Sequence, residues 1–321
     1  MRFEIRHRMH FDYGSPVSES QNEIRVRPLD GAHQRVETYR LTSDPAARVL
    51  SIMDYWGTNV DHLGIRSLHE EMEIVAEASV VTTAPEPVSA DPPAAALDDP
   101  AFRTSHWEFE HPSPHVQWNE ELAAQARSMS GSEPSVRGKI LALVEHTRSL
   151  LRYEQGTTEI GVSLVELVAG GRGVCQDYAH LSIGLLRSVG SPARYVSGYL
   201  FAADETNLDD AESTVNVQTH AWIEAALPGY GWWGVDPTNG GLTGERHVVI
   251  GRGRDYADVP PVRSVFTGSA EARVNAEVVI AKLAPMGPTP SVTAGGRAVA
   301  PPFPASRWER QQHQQQQQQQ Q

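Results

Sequence analysis

The only cysteine of the 321-residue chain, Cys175, lies in the segment GRGVCQDYAH, and a thiol is the side chain best suited to nucleophilic chemistry. Glycines precede it, and leucines at helical spacing follow it (Leu181, Leu185 and Leu186), which predicts that Cys175 lies in the first turn of a helix. The unpaired amide hydrogens and the positive end of the helix dipole favour a thiolate there. A lone cysteine is also commonly a small buried residue, so its neighbours must decide between nucleophile and core filler.

A second segment, QTHAWIEAALPGYGWWGVDPTNG, supplies a histidine and a carboxylate for the same chemistry. His220 alternates with apolar residues as in a strand, and PGYG predicts a turn. A hairpin centred near residue 229 puts Asp236 within about two positions of His220 and on the same face. Each residue alone has a structural interpretation, since strand histidines are often structural and Asp before Pro often starts a turn. Together, Cys175, His220 and Asp236 favour a cysteine acyl-transfer site.

Other residues of these segments are weaker candidates. We expect Asp177 to cap the helix or hold a loop, and His180, five residues beyond Cys175, to point away from it. Arg194 and Tyr195 are expected to support a strand. We expect Tyr153 to pack, with a direct role in the site as the alternative. Three tryptophans are expected to fill the core, with a substrate groove as the alternative: Trp222, Trp232 and Trp233.

The elements around these segments divide into two parts. Apolar and charged residues alternate along residues 1–13, and strand-like runs recur in EIRVRP, VLSIMDYW and MEIVAEASVV, so residues 1–85 predict an antiparallel β domain. Residues 86–118 are predicted to be a linker and connecting segment, because the proline- and alanine-rich run over 84–100 favours an extended conformation.

We predict that the catalytic core spans residues 119–285. Apolar residues spaced three and four apart predict that it begins with helices in ELAAQARSM and VRGKILALVEHTRSLLRY. A further strand is predicted in ARVNAEVVIAKL, and the proline-, glycine- and glutamine-rich tail over 286–321 is predicted to be disordered. The second helix has a predicted buried face: Ile140, Leu141, Val144, Leu150 and Leu151.

Composition excludes several classes of partner. The net charge is −13, and no basic cluster follows an aromatic pattern, so we expect neither nucleic acid nor an anionic membrane as a partner. A single cysteine forms no internal disulfide, and the N-terminal residues lack the unbroken apolar run of a signal peptide. No stretch reaches the ~20 apolar residues of a transmembrane helix. The expected compartment is the cytoplasm.

The chain resembles the bacterial transglutaminase-like cysteine peptidases in GRGVCQDYAHLSIGLLRSVGSPARYVSGYL, THAWIEAALPGYGWWGVDPTNG and GRDYADVPPVRSVFTG. YGSPVSESQNEIRVRP is similar to their strand-rich N-terminal domain, so the resemblance covers residues 1 to about 285. It implies an α+β fold, in which the β domain precedes a papain-like or transglutaminase-like core with a cysteine-bearing helix on an antiparallel sheet. The family's nucleophile, histidine and aspartate fall on Cys175, His220 and Asp236.

The resemblance implies acyl transfer through a thioester on a peptide or carboxamide substrate, with water or a primary amine as acceptor. Peptidase, amidase and transglutaminase activities stay open, as does a non-catalytic domain that only binds proteins. No acidic loop has calcium-ligand spacing, so no metal or cofactor is expected. The Gly171–Gly173 pair lacks the third glycine of a dinucleotide loop, and no G-x-S-x-G or S-x-x-K indicates a serine hydrolase. The oligomeric state is not predicted.

Overall fold

A computed structural model of the protein describes residues 1–88, 91–156, 161–202, 213–269 and 271–284. The strands are β1 (Arg2–Ile24), β2 (Gln34–Asp44), β3 (Val49–Met53), β4 (Asn59–Ile65), β5 (His69–Thr82), β6 (Arg152–Tyr153), β7 (Arg172–Gly173), β8 (Ala193–Leu200), β9 (Ser213–Val217), β10 (Thr219–Leu227), β11 (Gly231–Asp236), β12 (Gly241–Leu242), β13 (His247–Gly253), β14 (Val262–Thr267) and β15 (Arg273–Leu283). The α-helices are α1 (Pro100–Ser105), α2 (Glu120–Ser130), α3 (Val136–Leu150), α4 (Leu164–Gly170) and α5 (Cys175–Ser188).

The first sheet is built around the long strand β1, whose apolar residues alternate as predicted. Its apolar side chains are buried: Phe3, Ile5, Met9, Phe11 and Tyr13. The first half of β1 pairs with β5 and β15, and the second half pairs with β4 and β14. All these pairs are antiparallel, which confirms the predicted antiparallel β domain.

Strands from the end of the chain complete this sheet. The strand predicted in ARVNAEVVIAKL is present as β15, and it lies beside β1, with β9 on its other side. Local periodicity predicted the strand but carries no information about its partner. The domain division at residues 85, 118 and 285 stays a prediction, and the tail over 286–321 lies outside the described residues.

The proline- and alanine-rich segment over 84–100 is not extended throughout. Ala94–Asp98 forms a 3₁₀ helix, and α1 begins directly after Asp99, whose carboxylate accepts a hydrogen bond from the Phe102 amide. Leu97 is buried in the core, and its burial explains why this part of the segment is ordered into helical turns. The prediction of an extended conformation is wrong for these residues.

The second sheet has the order β12-β11-β10-β8-β13, and α5 packs against β10 and β8. The predicted hairpin is confirmed, because β10 and β11 pair from Leu227 with Gly231 to Ile223 with Val235, around residue 229. Helices α2 and α3 pack against α5. In α3, Ile140 and Val144 are buried as predicted.

Leu141 is 44% exposed, so its predicted burial is wrong. It follows Ile140 by one residue, about 100° around the helix, and so leaves the buried face. Leu151 is buried but lies just beyond the end of α3.

An apolar cluster joins the two sheets. It combines Phe3 and Ile280 of the first sheet with Tyr199 and Val248 of the second. The architecture is α+β, with an N-terminal antiparallel sheet and a core in which the cysteine-bearing helix packs on an antiparallel sheet. This confirms the predicted fold class.

Candidate active site

Cys175 is the first residue of α5, as predicted, and is half-buried. The Asp177 carboxylate accepts a hydrogen bond from the Val174 amide (2.8 Å), so Asp177 caps the helix. Gly173 makes this possible, since a Cβ at that position would lie 2.7 Å from the Asp177 Cβ. The Cys175 amide lies in the first turn, where amide hydrogens have no partner within the helix.

The hairpin of β10 and β11 brings His220 and Asp236 together. Continuing the observed register by one residue sets Asp236 opposite Trp222, two residues from His220 and on the same face. His220 Nε2 lies 2.8 Å from Asp236 Oδ2. Both side chains are largely buried, with 11% and 2% of their surface exposed.

His220 also interacts with Cys175. Burial lowers the pKa of His220, but hydrogen bonds to Asp236 and Cys175, together with their negative charges, outweigh burial and raise it to about 9. Because Nε2 faces Asp236, Nδ1 is the ring nitrogen left to face the Cys175 sulfur. At neutral pH the imidazole therefore carries both protons, between a sulfur on one side and a carboxylate on the other. The structure brings together all three residues that the sequence singled out.

Asp236 has more partners than the sequence analysis predicted. The backbone amides of Thr238 and Asn239 donate to Oδ1 (3.0 and 3.1 Å). The Asn239 side-chain amide donates to Oδ2 (2.8 Å), and His247 Nε2 lies 3.3 Å from the same oxygen. Burial raises the pKa of Asp236, but its hydrogen bonds, first those to His220 and His247, lower it well below its ordinary range.

Asn239 could have been found from DPTN, since an Asp side chain commonly accepts from the amides two and three residues on. His247 is different. It arrives on β13, which pairs with β8 rather than with the hairpin, so no local pattern connects it with Asp236.

His180 is buried near the middle of α5, where its contacts are those of a packing residue. Its Nε2 accepts a hydrogen bond from the Tyr256 amide (3.2 Å), and its ring stacks on His115, with centroids 5.6 Å apart. Burial lowers the pKa of His180 to about 3, so it is neutral at physiological pH. Tyr195 packs on His180 (5.2 Å) and is fully buried; burial, then the charge of Cys175, raise its pKa.

Arg194 supports the sheet beside the site. Its guanidinium pairs with Glu224 (2.7 Å) and lies 4.0 Å from the centre of the Trp232 ring. The other aromatic candidates divide by burial. Trp222 and Trp233 are buried in the core, whereas Trp232 is half-buried and Tyr153 is 47% exposed.

Within the described parts of the chain, no group of three or more His, Cys, Asp or Glu side chains is placed to hold a metal ion. None of the described helices is long and apolar enough to cross a membrane. The predicted absence of a metal and a cofactor stays a prediction.

Comparison with known proteins identifies the family. Residues 123–237 match the transglutaminase-like superfamily, and residues 3–81 match the bacterial transglutaminase-like N-terminal region. An uncharacterized protein of Mycobacterium leprae is 34% identical over 284 residues, which cover 88% of this chain and 99% of that protein. The chain belongs to the bacterial transglutaminase-like family. An uncharacterized protein of Mycobacterium tuberculosis (strain H37Rv) is 32% identical over 295 residues, 85% of this chain and 90% of that protein.

A solved structure shares the fold of this transglutaminase-like protein. A candidate cysteine protease from Cytophaga hutchinsonii is 24% identical, covers 87% of this chain and 90% of its own, and superposes with a TM-score of 0.69. The resemblance seen in the sequence is thus confirmed at the level of family and fold. Membership of the family supports a general cysteine-dependent enzyme, and Cys175, His220 and Asp236 all fall inside the matched core.

Proposed function

We propose that this transglutaminase-like protein catalyses cysteine-dependent acyl transfer on peptide or carboxamide substrates through a thioester. In this proposal Cys175 is the nucleophile, His220 the general acid and base, and Asp236 the group that orients His220. The observation that carries the proposal is the 2.8 Å contact between His220 Nε2 and Asp236 Oδ2, with Cys175 close enough to interact with the same imidazole.

The first half of the reaction forms the acyl-enzyme. The Cys175 thiolate attacks the carbonyl carbon, and the negative charge moves onto the carbonyl oxygen, where the Cys175 amide can donate to it. As the C–N bond breaks, the proton on His220 Nδ1 passes to the leaving nitrogen. The products are a free amine from a peptide, or ammonia from a carboxamide, together with a thioester on Cys175 and a neutral His220.

The second half releases the acyl group. Neutral His220 takes a proton at Nδ1 from water or from a primary amine, and the oxygen or nitrogen attacks the thioester carbon. The C–S bond then breaks and restores the thiolate beside a protonated His220. Water gives hydrolysis and an amine gives transamidation, and the same three residues serve both outcomes.

A protein-binding domain without catalysis is the alternative. The observed geometry favours the enzyme, because a binding surface needs no buried Asp236 with five donors aimed at it, nor a protonated imidazole beside the only cysteine. We further propose that the protein acts in the cytoplasm on a peptide or protein, without nucleic acid, membrane, metal or cofactor.

The test uses a set of peptides with a fluorogenic amide leaving group, each with and without a fluorescent primary amine. We expect Cys175-dependent release of the leaving group, with the amine incorporated into the product if the enzyme is a transamidase. Cys175→Ala is the inactive control, and Glu120→Gln, at an exposed position of α2, is the matched surface control. Release that is equal in Cys175→Ala and the wild type would contradict the proposal and favour the binding domain.

A further inference from the structure

A second imidazole faces the oxygen of Asp236 that His220 uses. His247 Nε2 lies 3.3 Å from Asp236 Oδ2, and its Nδ1 accepts a hydrogen bond from the Gly244 amide (3.2 Å). Because Nδ1 must be unprotonated to accept, the proton of a neutral His247 is on Nε2. The turn before β13 therefore selects the tautomer that donates to Asp236.

The surroundings of His247 hold its ring in place. Trp222, 1% exposed, meets it edge to face with centroids 5.1 Å apart, and the His247 side chain is only 12% exposed. Trp222 fits here because residue 198 is glycine; a Cβ at Gly198 would collide with the Trp222 ring. Trp222 also lies 6.0 Å from His220, and the two imidazole rings are 6.4 Å apart, so the three rings pack against one another.

The charge of Asp236 Oδ2 is therefore shared among three side-chain donors: His220, His247 and Asn239. A carboxylate oxygen that already accepts from a second imidazole offers less charge to the first. His220 must remain acidic enough to give its proton to the leaving amine. If the Asp236 carboxylate bound protonated His220 too tightly, the proton affinity of His220 would rise and this transfer would become less favourable.

We propose that His247 is a positioning residue that fixes Asp236 through its Nε2–H and limits how strongly the carboxylate binds His220. This inference rests on the proposed function, because it gives His247 a role in the same acyl-transfer site. With His247 included, the site consists of four side chains that contact one another in the order Cys175, His220, Asp236 and His247.

Among the described residues, few titratable or charged groups surround Asp236. His220 on β10 and His247 on β13 both contact its Oδ2, and Cys175 on α5 interacts with His220. Behind His247 lies a cavity of about 200 Å³ between the second sheet and the loop after β1. Besides His247 itself, its charged or titratable lining residues are Asp30, His33, Arg194, Glu224 and Arg252. Glu224 pairs with both arginines, so these three side chains together leave one net positive charge in this wall.

The experiment measures the titration of His220 directly by ¹⁵N NMR of the imidazole in the full chain, assigned by its loss in His220→Gln. His247→Phe keeps a ring against Trp222 but cannot donate, whereas His247→Gln keeps an N–H near the position of Nε2. We expect the proton affinity of His220 to rise about tenfold in His247→Phe and to return close to the wild-type value in His247→Gln. His247→Leu replaces the Phe variant if that variant fails to fold.

A structural role alone would lower the melting temperature of His247→Phe and leave the titration of His220 unchanged, and that result would overturn the inference. The rate of alkylation of Cys175 by iodoacetamide, measured in the same samples, reports on the proposed function separately. If wild-type Cys175 reacts no faster than a free thiol, the proposed function fails, whatever His247 does to His220. If wild-type Cys175 is reactive and His220 titrates identically in all variants, only the inference about His247 fails.

Discussion

Replacing Asp236 with asparagine removes the charge that keeps His220 protonated. The pKa of His220 is about 9, against an ordinary value of 6.5, although burial lowers it. In Asp236→Asn, the backbone amides of Thr238 and Asn239 retain the side-chain oxygen and turn the amide nitrogen toward His220. Two N–H groups cannot hydrogen-bond each other, so His220 must present an unprotonated Nε2. The imidazole then becomes neutral at pH 7 and loses the tautomer that can accept the Cys175 proton.

The magnitude follows from linkage. Because the pKa of His220 is higher in the folded state than in the unfolded state, protonation of His220 stabilises the fold. This stabilisation is complete below pH 6.5 and is lost as the pH rises through about 9. The pKa of His220 differs by about 2.5 units between the two states, and each unit corresponds to about 1.4 kcal/mol. The interactions of His220 with Asp236 and Cys175 together therefore contribute about 3 kcal/mol to the free energy of unfolding. The wild type should therefore lose up to about 3 kcal/mol of unfolding free energy between pH 6 and pH 10 that Asp236→Asn does not lose.

Urea unfolding at several pH values between 6 and 10 measures this difference. Glu120→Gln, which removes an exposed carboxylate paired with Arg127, is the control and should follow the wild-type curve. The alkylation rate of Cys175 near neutral pH should fall in Asp236→Asn, because the partner that stabilises the thiolate is no longer charged. Parallel curves for the wild type and Asp236→Asn across this pH range would show that Asp236 does not raise the pKa of His220.

Three further predictions concern residues of α5 and of β7, the short strand that precedes it. Cys175→Ala should abolish turnover and iodoacetamide labelling but leave the melting temperature within a few degrees, because one half-buried sulfur contributes little buried area; a large loss of stability would indicate a core residue instead. Gly173→Ala should cost about 1–3 kcal/mol in urea unfolding and slow alkylation of Cys175, since its Cβ would lie 2.7 Å from the Asp177 Cβ. Gly170→Ala is the matched control, with nothing within 4 Å of its Cβ, and equal effects at the two glycines would contradict the role of Gly173. Because the pKa of His180 is lowered to about 3, the free energy of unfolding of the wild type should fall as the pH drops from 6.5 toward 3. In acid unfolding, His180→Gln should show a weaker dependence of this free energy on pH, and a dependence equal to that of the wild type would contradict the prediction.

The placement of the site depended on patterns that are local in the sequence. Cys175 begins a helix because glycines precede it and leucines at helical spacing follow it. His220 and Asp236 meet because a tight turn fixes the register of the hairpin, and a register fixes which side chains share a face. These are short-range rules, so they could be applied without knowing the rest of the fold.

Features that depend on long-range pairing could not be predicted in this way. The alternation in ARVNAEVVIAKL predicts a strand, but nothing in it indicates that β15 pairs with β1, more than 250 residues away in the sequence. His247 is equally hidden, because it reaches Asp236 through the pairing of β13 with β8. The helical turns over 94–105 were missed because proline and alanine lowered the apparent periodicity, although burial of Leu97 stabilises them.

The most direct test of the proposed chemistry is the intact mass of the protein after rapid mixing with an activated acyl donor, followed by acid quenching. We expect a mass increase equal to one acyl group, located on Cys175 by peptide mapping, removed by hydroxylamine and absent from Cys175→Ala. We also expect His220→Ala to accumulate this species from an activated ester but not from an amide, because only the amide needs a proton for its leaving group. Acylation at another residue, or turnover of the same donor with no Cys175-linked mass increase at any quench time, would contradict the account.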